Sequence, residues 1–186
     1  DDNTGLTIEE AIRFMPLYLD HGVNSFEQIL PKGEEPGLCK ITRQFGEEAK
    51  IMVDESLTSV KEASFLAEHR FCNAFNLKIS KNGGIFNTLK IYELAQQHGI
   101  SCKLGDHFGE TSLLTRANVV FSSLVDSLTA NEGGFGTYLL SEDICDPGLQ
   151  FDPEGKIDIA QWLEENSGKV LVDETSLLKY NRSLNV

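Results

Sequence analysis

Long apolar runs are missing from this chain. No stretch approaches the ~20 residues that cross a bilayer as a helix, so the 186 residues hold no helical membrane span. Basic residues are scarce: 16 Lys and Arg stand against 29 Asp and Glu, a formal charge of −13, with a pI near 4.7. An acidic surface of this kind repels phosphate backbones and anionic lipid, which argues against nucleic acid or a membrane as partner. Cysteine is limited to Cys39, Cys72, Cys102 and Cys145, far apart and without a CxxC pair. A disulfide framework and a zinc site are therefore not expected, and free thiols in a reducing, cytoplasmic setting are. The pair Gly83-Gly84 lacks both the Gly-x-Gly-x-x-Gly and the Walker spacing, so it is a tight turn and not a nucleotide loop.

What is present is alternation. Thr7-Ile8-Glu9-Glu10 has the form of a capping box opening a helix that runs to Asp20. Short apolar strands are expected at Asn24 to Leu30, Lys50 to Asp54, Phe75 to Ile79 and Ile100 to Leu104, with a last one near Ser127 to Asn131. Helical spacing falls between them: Pro36 to Ala49, a helix capped by Ser56 or Thr58 and ending near His69, Ile85 to Gln97, and Thr111 to Leu128. The unit is about 25 residues of strand and helix, and strands this short and apolar belong to a parallel sheet. The expected fold is α/β, a (β/α) barrel of the TIM type represented by its strands three to eight; a complete open sheet is the alternative. A closed eight-unit barrel takes about 250 residues, so the N-terminal cap and first strands are expected to lie upstream. Residues 1–150 are assigned to the partial barrel. Residues 151–186 are assigned to a C-terminal covering segment with a short helix near Gln161 to Glu165.

Charged residues keep step with the strands. Asp1, Glu27 and Asp54, followed by Lys78, are spaced by 26, 27 and 24 residues, about one strand–helix unit each. In parallel strands the residues at equivalent ends point into one pocket. Three carboxylates there suit a hard cation such as Mg²⁺, or Mn²⁺ in its place, beside an amine.

The segments Phe26-Glu27-Gln28, Met52-Val53-Asp54-Glu55-Ser56 and Leu77-Lys78-Ile79-Ser80-Lys81-Asn82-Gly83-Gly84 resemble the barrel domain of the enolase superfamily, specifically its muconate-lactonizing subgroup. The likeness runs from Asp1 to about Asp143, and Lys-x-x-Lys-Asn-Gly-Gly is its most specific element. The resemblance implies Asp1, Glu27 and Asp54 as metal ligands and Lys78 as the acid/base. Lys81 is implied as an electrostatic neighbour, and Glu55 should face away from the metal. Glu110 and Glu132 match segments that line the pocket; Glu132 is a candidate catalytic acid, Glu110 equally a helix N-terminal charge. His107 belongs to a racemase-like variant of the chemistry, whose partner aspartate is replaced here by Lys78, so it is expected at the pocket rim.

The implied function is a Mg²⁺-dependent isomerase or cycloisomerase that abstracts the proton α to a carboxylate through a metal-stabilised enediolate. Alternatives within that chemistry are a dipeptide or N-acyl amino acid epimerase, a succinylbenzoate synthase and an acid-sugar dehydratase. Outside it stands a metal-binding fragment without turnover. The expected partner is a small-molecule carboxylate, with homo-oligomers by analogy alone. A second base, on an earlier strand in the subgroup, is not among these residues.

Overall fold

Alternate residues of each strand decide how the sheet is built. In the computed structural model, which describes residues 1–132, 134–146, 148–149, 151–166 and 172–180, four strands lie side by side in chain order. They are β1 (Ser25–Glu27), β2 (Lys50–Val53), β3 (Ala74–Leu77) and β4 (Ser101–Leu104), and every pairing is parallel. The register places Phe26 beside Ile51, Val53 beside Phe75, Phe75 beside Cys102 and Leu77 beside Leu104. All seven are buried, so one face of the sheet is wholly apolar. The opposite face, by the two-residue period of a strand, carries Glu27, Met52, Ala74, Asn76, Ser101 and Lys103.

Helix α1 (Ile8–Asp20) precedes β1, and α2 (Glu35–Phe45), α3 (Val60–Glu68) and α4 (Ile85–Gln97) link the strands. They bury Ala11, Met15, Leu38, Ile41, Leu66, Ile91 and Ala95. Helix α1 begins as its sequence dictates: Thr7 Oγ1 accepts the Glu10 N–H, and the Glu10 carboxylate accepts the Thr7 N–H. The cap of α3 is a different residue from those expected. Ser59 accepts the Glu62 N–H, while Thr58 is held by the Glu62 carboxylate and Ser56 turns inward to Gln28 and Glu35. Three hydroxyls in four residues compete for one cap, and the inner one is drawn into the core.

Glu62 also pairs with Lys32 at 2.9 Å. Burial raises its pKa, but the bonds from Thr58 and Lys32 outweigh that and bring it from an ordinary 4.5 to about 2. The folded value lies below the unfolded one, so its contribution is complete above about pH 4.5 and disappears as pH falls toward 2. Urea unfolding across that range should show a shallower acid limb for Glu62→Gln; an identical slope would refute the assignment.

The expected strand at Ser127 to Asn131 forms only in outline. Thr129 N–H donates to Cys102 O, Leu104 N–H to Ala130 O, and Leu104 and Asn131 make a single parallel bridge. These residues and Asp1–Gly105 form one compact unit; Asp106–Leu124 and Glu132–Val186 form a second. The second unit holds α5 (Ser112–Leu124), a 3-10 helix (Phe135–Leu139), α6 (Ile159–Asn166) and α7 (Glu174–Tyr180). Helix α5 is shorter than its apolar pattern suggests, and Asp143 caps its start by accepting the Ser112 N–H at 2.9 Å. Helix α6 covers the expected Gln161 to Glu165. Of the expected covering segment, 167–171 and 181–186 lie outside the described residues, as does Gly133 beside Glu132. Among the described residues the four cysteines are free thiols, and no helix is long and apolar enough to cross a membrane.

Candidate active site

The polar face of the sheet is a lattice of charges, and its geometry follows from the strand register. Glu27 ends β1 and is 7% exposed; Asp54 follows β2 and is 4% exposed. A buried carboxylate needs donors to replace lost water, and each of these four oxygens has one. Asn76 Nδ2 donates to Glu27 Oε1 at 2.6 Å, and Lys103 Nζ to Glu27 Oε2 at 3.0 Å. Lys78 Nζ lies 2.5 Å from Asp54 Oδ2, and Lys81 Nζ bonds Asp54 Oδ1. Burial pushes the Asp54 carboxyl up, but the Lys81 charge and the bonds from both lysines prevail and hold it below the usual range. Burial pushes the Lys81 amine down; Asp54 opposes this, the Lys78 charge adds to it, and the net shift is downward.

The backbone around these side chains is fixed by two amides. Gln28, fully buried and with φ of +41°, accepts the Asp54 and Ser56 N–H groups at 2.9 and 3.2 Å. It donates to Leu30 O and Ser56 Oγ. One side chain thus ties the end of β1 to the end of β2. Asn82 accepts the Lys78 N–H at 3.0 Å and donates to Leu57 O at 2.9 Å. Gly83 and Gly84 then take φ of +80° and +97°, conformations that favour glycine, before α4 begins. This is the physical content of the Lys-x-x-Lys-Asn-Gly-Gly run. Lys78 stands one residue beyond β3 rather than within it. Lys81 also bonds Asp54 O and Asn76 O at 2.8 and 3.0 Å.

Gln28→Ala leaves two buried N–H groups without acceptors, at about 1–3 kcal/mol each. It should lower the melting temperature by about 4 °C or more; calorimetry showing no change would contradict the clamp.

Of the residues expected to share a site, Glu27, Asp54, Lys78 and Lys81 come together. Asp1 does not join them as a gathered triad. It is exposed and its Oδ1 accepts the N–H of Asn3 at 2.9 Å. Its neighbour Asp2 nonetheless runs alongside β1, donating from N–H to Glu27 O at 3.1 Å. Among the described residues no group of three His, Cys, Asp or Glu side chains is disposed to hold a metal. The oxygens of Glu27 and Asp54 are satisfied by amine and amide nitrogens instead. In chemistry the donor set still fits a hard dication: carboxylates from neighbouring backbone segments, two of them buried on one face. Glu55 departs from its neighbours, with Oε2 buried and unbonded.

His107, Glu110 and Glu132 lie in the second unit. His107 is exposed, and its Nδ1 lies 3.4 Å from Oε1 of the buried Glu110, just ahead of α5. Glu132 is exposed. Sequence reasoning gave no role to Asn76, Lys103 or Gln28. For Asn76 the available signal was a polar residue inside an otherwise apolar four-residue strand.

The profile of the family described as "Enolase C-terminal domain-like" matches residues 1–161. A chloromuconate cycloisomerase of Cupriavidus necator is 33% identical over 150 residues, covering 81% of this chain and 40% of that protein. An L-Ala-D/L-Glu epimerase of Clostridium acetobutylicum is 31% identical over 180 residues, covering 95% of this chain and 45% of that protein. The solved muconate lactonizing enzyme from Pseudomonas putida superposes with a TM-score of 0.81 at 27% identity, over 95% of this chain and 47% of that one. The chain thus spans less than half the length of these relatives.

Proposed function

The chain belongs to the enolase C-terminal domain-like family, and from that premise we propose that its polar sheet face is the metal-and-base half of an isomerase active site. The reaction is removal and return of the proton next to a substrate carboxylate. Glu27 and Asp54 would hold Mg²⁺ or Mn²⁺, with Asp1 from the adjoining segment as third ligand. When bound, the ion supplies positive charge that neutralises the substrate carboxylate as its α-carbon loses a proton.

Lys78 is the base in this reading. Its Nζ lies against Asp54, so the proton acceptor sits beside a proposed ligand. Asn82 fixes its backbone N–H, which limits where the amine swings. Lys81, bonded to Asp54 and to two strand-end carbonyls, holds the Asp54 carboxylate and strand ends together. A positioned base contributes about 10²–10⁴-fold.

The observation that carries the reading is the pairing on one sheet face of two buried carboxylates with three lysine amines, opposite a face with no polar side chain in the paired strands. Relatives that cycloisomerise and relatives that epimerise are both similar to this chain, and both reactions include gain or loss of a proton at the carbon beside a carboxylate. Incubating the full-length protein with Mg²⁺ and candidate carboxylates in heavy water tests it. Deuterium should enter at the α-carbon; no exchange with any cycloisomerase- or epimerase-type substrate would favour a binding role without turnover.

A further inference from the structure

Lys103 is a charged residue in the middle of a four-residue strand. Its neighbours Cys102 and Leu104 are buried in the apolar core, so the strand period turns Lys103 to the polar face. Register places it beside Asn76. From there its ammonium reaches Glu27 Oε2 at 3.0 Å, across 76 residues of sequence, while Asn76 Nδ2 takes Oε1 at 2.6 Å. Each oxygen of Glu27 therefore has its own donor, one from β3 and one from β4, neither of them the strand that pairs with β1.

The depth of Lys103 separates it from the base. Leu77 pairs with Leu104, which puts Lys78 level with Gly105, one layer beyond Lys103. Gly105 has no side chain to offer at that level, and any Cβ there would collide with the Asn76 amide. The side chain of Lys103 is 16% exposed and that of Glu27 9%. At this depth the amine meets the Glu27 carboxylate.

We propose that Lys103 is a positioning residue: together with Asn76 it holds the Glu27 carboxylate aimed for a dication. This rests on the reading of the polar face given above. The alternative physics runs the other way, because an ammonium beside a ligand repels a dication. Which effect prevails is measurable.

Calorimetric titration of Mn²⁺ into the full-length protein, Lys103→Met and Lys103→Arg decides it. Lys103→Met should weaken Mn²⁺ binding by about 10–100-fold, the usual cost of removing a residue that orients a ligand. Lys103→Arg, which keeps charge and donors, should recover most of that loss. With Mn²⁺ saturating, kcat for α-proton exchange should fall in Lys103→Met while KM for the carboxylate changes less than twofold. Thermal unfolding gives a reading free of metal. Lys103→Met leaves Glu27 buried without its ammonium and should melt earlier, and adding Glu27→Gln should restore part of the loss. Unchanged or tighter Mn²⁺ binding in Lys103→Met would overturn the positioning role, as would a double variant that melts no higher than the single one. If the unsubstituted protein takes up no Mn²⁺, the metal reading fails and this proposal with it. If it binds and Lys103→Met binds equally, only the role of Lys103 fails.

Discussion

Replacing Lys78 with alanine should lower α-proton exchange by about 10²–10⁴-fold, the range in which a positioned base contributes, while Mn²⁺ binding persists. The fold should tolerate the change. Asp54 keeps its contact with Lys81, and the truncated side chain lies beyond the end of β3. Lys78→Arg separates chemistry from charge, because arginine restores the cation but does not give up its proton at neutral pH. Exchange should stay low in both variants. Exchange at the unsubstituted rate in Lys78→Ala would remove Lys78 from the reaction.

Asp54→Asn should destabilise the fold strongly. Lys78 and Lys81, with side chains 12% and 10% exposed, would lose the carboxylate they share. Breaking a buried ion pair by removing one partner costs about 3–5 kcal/mol. For a chain of this length that corresponds to a melting temperature lower by about 6–20 °C. Lys81 retains the backbone acceptors Asp54 O and Asn76 O, so the loss should fall more heavily on the placement of Lys78. Differential scanning calorimetry showing a melting point within a degree of the unsubstituted protein would mean that the charge cluster contributes nothing to folding.

How much of this was legible in the sequence depends on how local each interaction is. The Thr7–Glu10 capping box spans three residues and forms as the pattern requires. The Asn82–Lys78 bond spans four, and the glycines after it announce the turn. The polar face is a different matter. Asn76 reaches Glu27 across 49 residues and Lys103 does so across 76. Such pairs exist only once strand register is fixed, and no spacing along one strand discloses the register of its neighbours. Gln28 was visible as part of a motif, but its clamp on the Asp54 and Ser56 N–H groups depends on a left-handed backbone that glutamine rarely adopts. Asp143 caps α5 from 31 residues away, again beyond local reading. The even spacing of the charged residues agrees with the parallel strand–helix units that form. It did not give the internal neutralisation of Glu27 and Asp54 by amines, because a repeat length carries no information about which side chains satisfy which.

A crystal structure of the full-length protein grown with Mn²⁺, with data collected at the manganese edge, is the most direct test of the shared site. The expected anomalous peak lies about 2 Å from one oxygen each of Glu27 and Asp54, the distance of a hard-cation bond, with Lys78 Nζ turned toward the open side of the ion. Manganese bound elsewhere on the acidic surface, with both carboxylates still held by their lysines and Asn76, would contradict it.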